Sequence, residues 1–504
     1  MINLPESTQF WLALLNYPVD AQQRIRIWNG YLAWKLPRDF RHQIRNVGNP
    51  PFNQYERAEH LQLAREERRE LDALAKRHGG HPSFSESSIG PQGRFMDFSD
   101  HNFDDEVCFA GRILIRAKFS RATFGGPVDF RNSTFVDMAD FDQAIFKRRS
   151  RFDNVTWENT VYFKEATFME TTVFNNCAFK VAAYFDDSKF LPIEEVKGQL
   201  FGGVGFEASI FTGAVSFERV TLGVSASFES AKFQGTSNFR NTKCQQQVAF
   251  QRATFDRVAD FSCAKFKRDV RFHNATFNAT THFRYSEFLQ PPEFFETDLH
   301  EDTDFGGVKW RKAESCYSRS WWAQIASVFS RGESTLDLIN ASSAIQAWDR
   351  LALIMSQSEK LPERHEFYRL RMRAQRRRDG VGILSLANWL FDILCDYGWS
   401  VKKALFWWAT HFIGMSILYF SHVKYLKNNP GQMFWDCLGV SFSNAHVFFG
   451  LTSEGGHLYG ARERLEASTL DASMLSIAGA TQTVIGPILL FLLLLTLRNR
   501  FRLR

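Results

Sequence analysis

The chain has 504 residues and a net charge of +6. That length allows three or four domains, and the charge is too modest for a nucleic-acid binder, which needs clustered basic residues beside exposed aromatics. Seven cysteines, at 108, 177, 244, 263, 316, 395 and 437, form no C-x-x-C pair, so packing explains them better than zinc or redox chemistry, and a reducing cytoplasm follows.

Residues 3 to 36 read as two short helices parted by Pro18 and ended by Pro37, with Trp11, Trp28 and Trp34 on apolar faces. The early apolar run from Phe10 to Leu15 is too short for a signal peptide. Residues 53 to 78 form a charged helical stretch with a narrow stripe of Ala58, Leu61, Ala64, Leu71, Leu74 and Ala75, stopped by Gly79 and Gly80. We expect it to cap the open end of the repeat region that follows; a partner-binding or oligomerising helix is the alternative.

From Phe119 a ring recurs at alternating steps of five and six residues: Phe124, Phe130, Phe135, Phe141, Phe146, Phe152, Trp157, Phe163 and on to Phe185 and Phe190. A second run keeps the beat from Phe206 through Phe228, Phe250 and Phe272 to Phe288, with Leu222 and Cys244 in two of the slots. The position two before each slot is small or β-branched, as at Ala139, Val161 and Val270. On an α-helix these steps scatter the rings around the axis. On a flat strand a step of five turns the next ring outward. The chain must therefore bend between slots, and four short sides make a coil of 22 residues with every ring on the axis. Phe141 then lies beneath Phe163, and Phe163 beneath Phe185, at roughly the 4.8 Å strand spacing.

This pattern resembles the pentapeptide-repeat family in its Phe-centred variant, over about residues 95 to 290. The resemblance implies a mainly β fold, a right-handed quadrilateral β-helix. Residues 191 to 205, with Pro192 and four glycines, break the beat by one residue and read as a loop bulging from one coil. The slots from Phe98 to Leu114 slip once, so the first coil is expected to be irregular, and after Pro291 and Pro292 the beat is expected to fade. Some members of the family resemble DNA in shape and charge, which needs a strongly acidic surface. Residues 119 to 190 hold nine basic and ten acidic side chains and residues 206 to 288 eleven and seven, so neither that role nor nucleic-acid binding is expected.

Beyond the repeats, Ser342 to Arg378 reads as a helical hairpin with Trp348, Leu351, Ile354, Met355, Phe367 and Leu370, broken near Pro362. It ends in Arg371, Arg373, Arg376, Arg377 and Arg378, expected to meet anionic lipid headgroups with Lys402, Lys403, Arg498 and Arg500. Ala404 to Phe420 and Met474 to Leu497 lack formal charge apart from His411 and read as two membrane spans. Their basic flanks place both chain ends and the repeats in the cytoplasm, in a cell (inner) membrane. Between them, Met433 to Leu451 is interrupted by Asp436, Asn444 and His446 and reads as re-entrant or interfacial.

Two spans around a half-crossing, with Asp396-Tyr397-Gly398-Trp399-Ser400 before them, resemble the two-helix pore module of tetrameric cation channels. That resemblance implies a homotetramer, but no Thr-Val-Gly-Tyr-Gly filter is present. Ser441, Ser443, Asn444 and His446 stand in its place, with Gln482 and Thr483 as further pore candidates and Gly479, Gly486 and Pro487 as hinge candidates. The domains are then 1–90 helical cap, 91–305 β-helix, 306–398 hairpin and basic linker, and 399–504 membrane module. No catalytic constellation, cofactor motif or metal-ligand spacing is present. The two readings are an oligomeric channel-like or pore-forming protein whose solenoid meets a protein partner or trigger, and a membrane-anchored interaction scaffold without conductance.

Overall fold

A computed structural model describes residues 6–35, 63–78, 96–192, 202–310, 335–357, 361–379, 382–421, 430–446, 460–461, 463, 465 and 472–501. Ala58, Leu61, Gly79, Gly80, Cys316, the middle of the 191–205 stretch and the end of the re-entrant stretch after His446 lie outside them, as do the side chains of Ile354 and Arg377. Two compact units share the chain: Met1–Ser320 with Ser343–Phe367, and Trp321–Ser342 with Tyr368–Arg504.

The first unit is a β-solenoid of about nine coils. Its strands, mostly two residues long, stack into four parallel sheets of nine, ten, eight and eight strands, one to each face. Register follows the 22-residue repeat: Val161 pairs with Ala139 below and Ala183 above. Phe141, Phe163, Phe185, Phe228, Phe250 and Phe272 are all buried. Phe163 stacks on Phe141 at 4.8 Å and on Phe185 at 5.0 Å, while meeting Phe174 of the neighbouring column edge-on at 5.5 Å. Stacking along a column and edge contacts across it are the two geometries that the ring quadrupole favours. Backbone donors are satisfied between coils, as in Phe163 N to Tyr184 O at 2.7 Å.

The alternation of five and six has a backbone cause. After the slots of the first and third faces the chain makes a β-turn closed by a bond such as Ala166 N to Phe163 O, 3.2 Å. Its third residue is left-handed, as at Asn132, Asn154, Glu165, Asn176 and Arg252 with φ between 56° and 58°. This tight corner yields the five-residue step; the corner after the other two faces lacks it and takes six. Asparagine recurs there because its short polar side chain tolerates φ > 0. The Asn154 amide also reaches Asn132 Oδ1 of the coil below at 3.1 Å.

Three departures from the regular coil stand out. Met96 pairs with Ala117 and Leu114 with Phe135, so the first coil is one residue short, in line with the slip in the sequence. Thr172 pairs with Val204, 32 residues on, whereas Ser150 pairs with Thr172, 22 residues on, so ten residues leave one coil and Phe206 is the next slot after Phe190. The beat does not fade after Pro291 and Pro292. Phe294 stacks on Phe272, Phe305 on Phe283 and Trp310 on Phe288, forming another coil. Proline is tolerated at 292 because, among the described residues, this is the last rung of its face, where the missing N–H would point beyond the sheet.

Both ends of the tube are closed by aromatic helices. At the start, α1 (Glu6–Leu15) and α2 (Ala21–Lys35) pack Phe10, Trp11, Trp28 and Tyr31 into one buried cluster. The Trp28 indole donates to Ile113 O at 2.8 Å, and Asn29 donates to Gly111 O at 3.1 Å and accepts from Ile113 N at 2.9 Å. Among the described residues these two helices, rather than the charged stretch to which the sequence assigned the cap, carry the bonds to the first coil. The charged helix α3 (Arg65–Arg77) instead pairs with α2 through Glu67 to Arg26. Beside the indole, Arg112 is buried, and loss of solvation lowers its guanidinium to about 10. At the far end Trp348 of α4 (Thr335–Gln357) and Phe367 of α5 (Leu361–Arg378) cover Trp310, with ring centroids at 5.1 and 5.6 Å.

Candidate functional site

The outer surface of the solenoid is a grid of opposite charges. Arg121 meets Asp100, Lys180 meets Glu158 and Arg219 meets Asp187 across neighbouring coils. Within it Tyr162 stacks on Tyr184 at 5.4 Å, with the Lys164 ammonium 5.6 and 5.0 Å from the two rings. The cysteine slots are sealed: Cys177 and Cys244 are buried, which pushes both thiols up and leaves them inert, whereas Cys108 is exposed. Among the described residues no group of three His, Cys, Asp or Glu side chains could hold a metal ion.

In the second unit, α6 (Ile383–Cys395) turns into α7 (Val401–Ser421) through three consecutive left-handed residues, Asp396, Tyr397 and Gly398, with φ of 52°, 55° and 81°. Non-glycine residues hold this conformation only when their surroundings over-determine it, and here they do. Arg373 Nη2 donates to Asp392 at 2.9 Å and Asp396 at 3.0 Å, Arg369 closes on Asp396, and Arg376 reaches Asp392 at 3.4 Å. Burial opposes the Arg373 charge, but its bond to Asp392 and the nearby Asp396 carboxylate outweigh that and raise its pKa. Tyr397 donates to Asn388 Oδ1 at 2.6 Å, and Asn499 of α9 (Ala472–Phe501) donates to Gly398 O at 2.9 Å. Ser400 caps α7 by accepting from Lys403 N at 3.3 Å.

Helices α7, α8 (Pro430–Ala445) and α9 pack together around a polar core. Tyr419 donates to Gln482 Oε1 at 2.7 Å, and Gln482 Nε2 donates to Ser441 O at 2.9 Å and Oγ at 2.7 Å. Asn444 donates to Tyr419 Oη at 3.2 Å, and Ser441 to Phe412 O at 3.1 Å. Gln482 is fully buried. Helix α9 approaches closely at Gly486, where a Cβ would lie 2.5 Å from Ala445 Cα. Among the described residues one helix, Ser476–Phe501 within α9, is long and apolar enough to cross a membrane; α7, with Trp407, Trp408, Thr410 and His411 in its middle, falls short of that apolarity.

The structure brings Ser441, Asn444 and Gln482 together, with Tyr419, which the sequence suggests only as part of an aromatic belt with Trp407 and Trp408, as their partner. Ser443 and His446 are buried on α8 and its end, His446 with Nδ1 2.8 Å from Phe442 O. Thr483 bonds its own helix at Ala480 O, 2.8 Å, and Gly479 lies 3.6 Å from the Asn444 amide by its would-be Cβ. Pro487 sits inside α9, where it removes a bond to the Thr483 carbonyl. Lys402, Lys403, Arg378, Arg498 and Arg500 are exposed, while Arg376 is committed to Asp392. Asp396 was legible only as part of a short juxtamembrane string and Asp392 was not singled out; their spacing of four places both on one side of a helix end, facing basic residues four apart at 369 and 373.

Comparisons with curated proteins and with solved structures gave no match. A family model described as Pentapeptide repeats (9 copies) matches residues 116–156, 141–189 and 239–287. All three stretches fall within the stacked coils, and the coils they cover are pentapeptide repeats.

Proposed function

We propose that this is a membrane-anchored interaction scaffold, in which a pentapeptide-repeat solenoid presents its charged grid to a protein partner while α7 and α9 tether it as a two-span module. The observation that carries this reading is the consumption of Gln482, Ser441 and Asn444 in bonds to Tyr419 and to one another, which leaves their polar groups committed to packing. Exposed apolar side chains along α7 and α9, among them Ile413, Ile417, Val484 and Leu494, support a lipid environment. The basic flanks Lys402, Lys403, Arg498 and Arg500 support a cytoplasmic solenoid and an inner-membrane location. No enzyme activity is assigned to it.

A second reading, an oligomeric channel-like or pore-forming module, is favoured by one arrangement: the short helix α8 packs against both α7 and α9, which also pack against each other. Two spans enclose no pathway alone, so this reading requires an assembly, a homotetramer by the resemblance above. Particle mass in mild detergent and planar-bilayer recording separate the two. The scaffold predicts no conductance at any voltage or salt; four chains per particle together with a conductance that changes in Asn444→Ala would replace it with the channel.

A further inference from the structure

We infer that α6 lies flat in the headgroup layer of an anionic bilayer, with its aliphatic face turned to the acyl chains; this rests on the membrane reading above. The helix has two unlike faces. Ile383, Leu384, Leu386 and Leu390 are 84, 79, 53 and 42% exposed. Ile383, Leu386 and Leu390 recur at the three- and four-residue spacings of one helical stripe, and Leu384 lies off it at the first turn. The opposite stripe, Asn388, Asp392 and Cys395, is turned into the protein: Asn388 donates to Met372 O at 3.0 Å and Asp392 holds Arg373 and Arg376. Contiguous apolar surface of this kind marks a contact with something.

Three observations commit it to lipid rather than to another protein. Its 13 residues reach only about 20 Å at 1.5 Å each, too short to cross a hydrocarbon layer of about 30 Å, so a membrane can take this face only along its surface. The face is continuous with the apolar surface of the membrane module: α6 runs through residues 396–400 into α7, whose Leu405, Phe406 and Trp407 are exposed, and the Trp407 indole donates back to Ile393 O at 3.2 Å. The basic residues at that level suit an anionic surface. Lys402 and Lys403 are free of burial, and Arg498 and Arg500 flank Asn499, which is bonded to the corner at Gly398, with Arg500 lying 5.6 Å from the Trp399 ring. Asp392 and Asp396, which such a surface would repel, are turned inward and covered by arginines.

The test uses the full chain with Cys108, Cys263 and Cys316 changed to serine, reconstituted in liposomes of phosphatidylethanolamine with or without phosphatidylglycerol. Spin labels are placed at Leu386→Cys, at Ile485→Cys in α9 and at Tyr285→Cys on the exposed solenoid surface, and collision rates with oxygen and with a nickel chelate are compared. We expect the Leu386 label to show nickel accessibility lower than the Tyr285 label by at least about threefold, an oxygen accessibility between those of Tyr285 and Ile485, and deeper immersion when phosphatidylglycerol is present. A lipid-exposed Ile485 with a Leu386 label as nickel-accessible as Tyr285 overturns the inference and leaves the anchor standing. A Leu386 label shielded from both oxygen and nickel assigns the face to a protein contact and also overturns it. Water-accessible labels at both Leu386 and Ile485 refute the membrane reading itself.

Discussion

A single ring in this solenoid has neighbours above, below and beside it, so its loss cannot be absorbed by a small shift. Phe163 is fully buried between Phe141 and Phe185, while its predecessor Tyr162 stands on the outer surface. Phe163→Ala is expected to cost about 3–5 kcal/mol and Tyr162→Ala less than about 1 kcal/mol in thermal unfolding; similar losses from both would remove the axial column. Asp142 shows what the same crowding does to a charge. Burial, with Asp140 and Glu165 nearby, raises its carboxyl to about 6 despite the bond it accepts from Lys164 N. A raised carboxyl pKa means that the fold favours the protonated form, so this contribution is present at acid pH and is lost as pH rises from about 4 to about 6. With solvent screening the loss is about 1 kcal/mol. Asp142→Asn should therefore raise the melting temperature at pH 8 and flatten its pH dependence across that window; an unchanged pH profile would contradict this account.

At the scale of elements, the short strands hold only because each pairs with a neighbouring coil, on both sides except at the sheet ends, and the helices of the second unit hold through a few polar and close contacts. Gly486 is the closest of these. In Gly486→Ala the new Cβ meets Ala445 backbone at 2.5–3.0 Å, which α8 can relieve only by moving away. The expected cost is about 1–3 kcal/mol, read as earlier unfolding in mild detergent, and Gly479→Ala, with its nearest neighbour at 3.6 Å, is the control expected to stay near wild type.

For the molecule as a whole, contacts within the solenoid run between neighbouring coils, so damage at one end should stay there. Asn29 offers the test, since it both donates to Gly111 O and accepts from Ile113 N. Asn29→Ala leaves those backbone groups without their side-chain partner, at a cost of about 1–3 kcal/mol. Hydrogen exchange should speed up in the first coils, around Phe98 to Phe119, and remain unchanged around Phe228 to Phe250. Uniform acceleration along the tube would show instead that the solenoid opens as one cooperative block.

Much of the solenoid was readable from spacing, because a ring every five or six residues has so few solutions that bury it. The slots at Phe141, Phe163 and Phe250, the coil length and the slip before Phe119 all follow from that geometry. Phe294, Leu299, Phe305 and Trp310 keep the same beat, but Pro291 and Pro292 obscured it, since whether a proline breaks a strand depends on whether a further rung needs its N–H. The caps at Trp28 and Trp348, the partnership of Tyr419 with Gln482, and the arginines gathered on Asp392 and Asp396 join residues from 16 to 85 positions apart. A repeat announces itself locally because each coil meets a copy of itself at a constant interval. Unique contacts carry no such interval, and only the packed chain selects which distant groups meet.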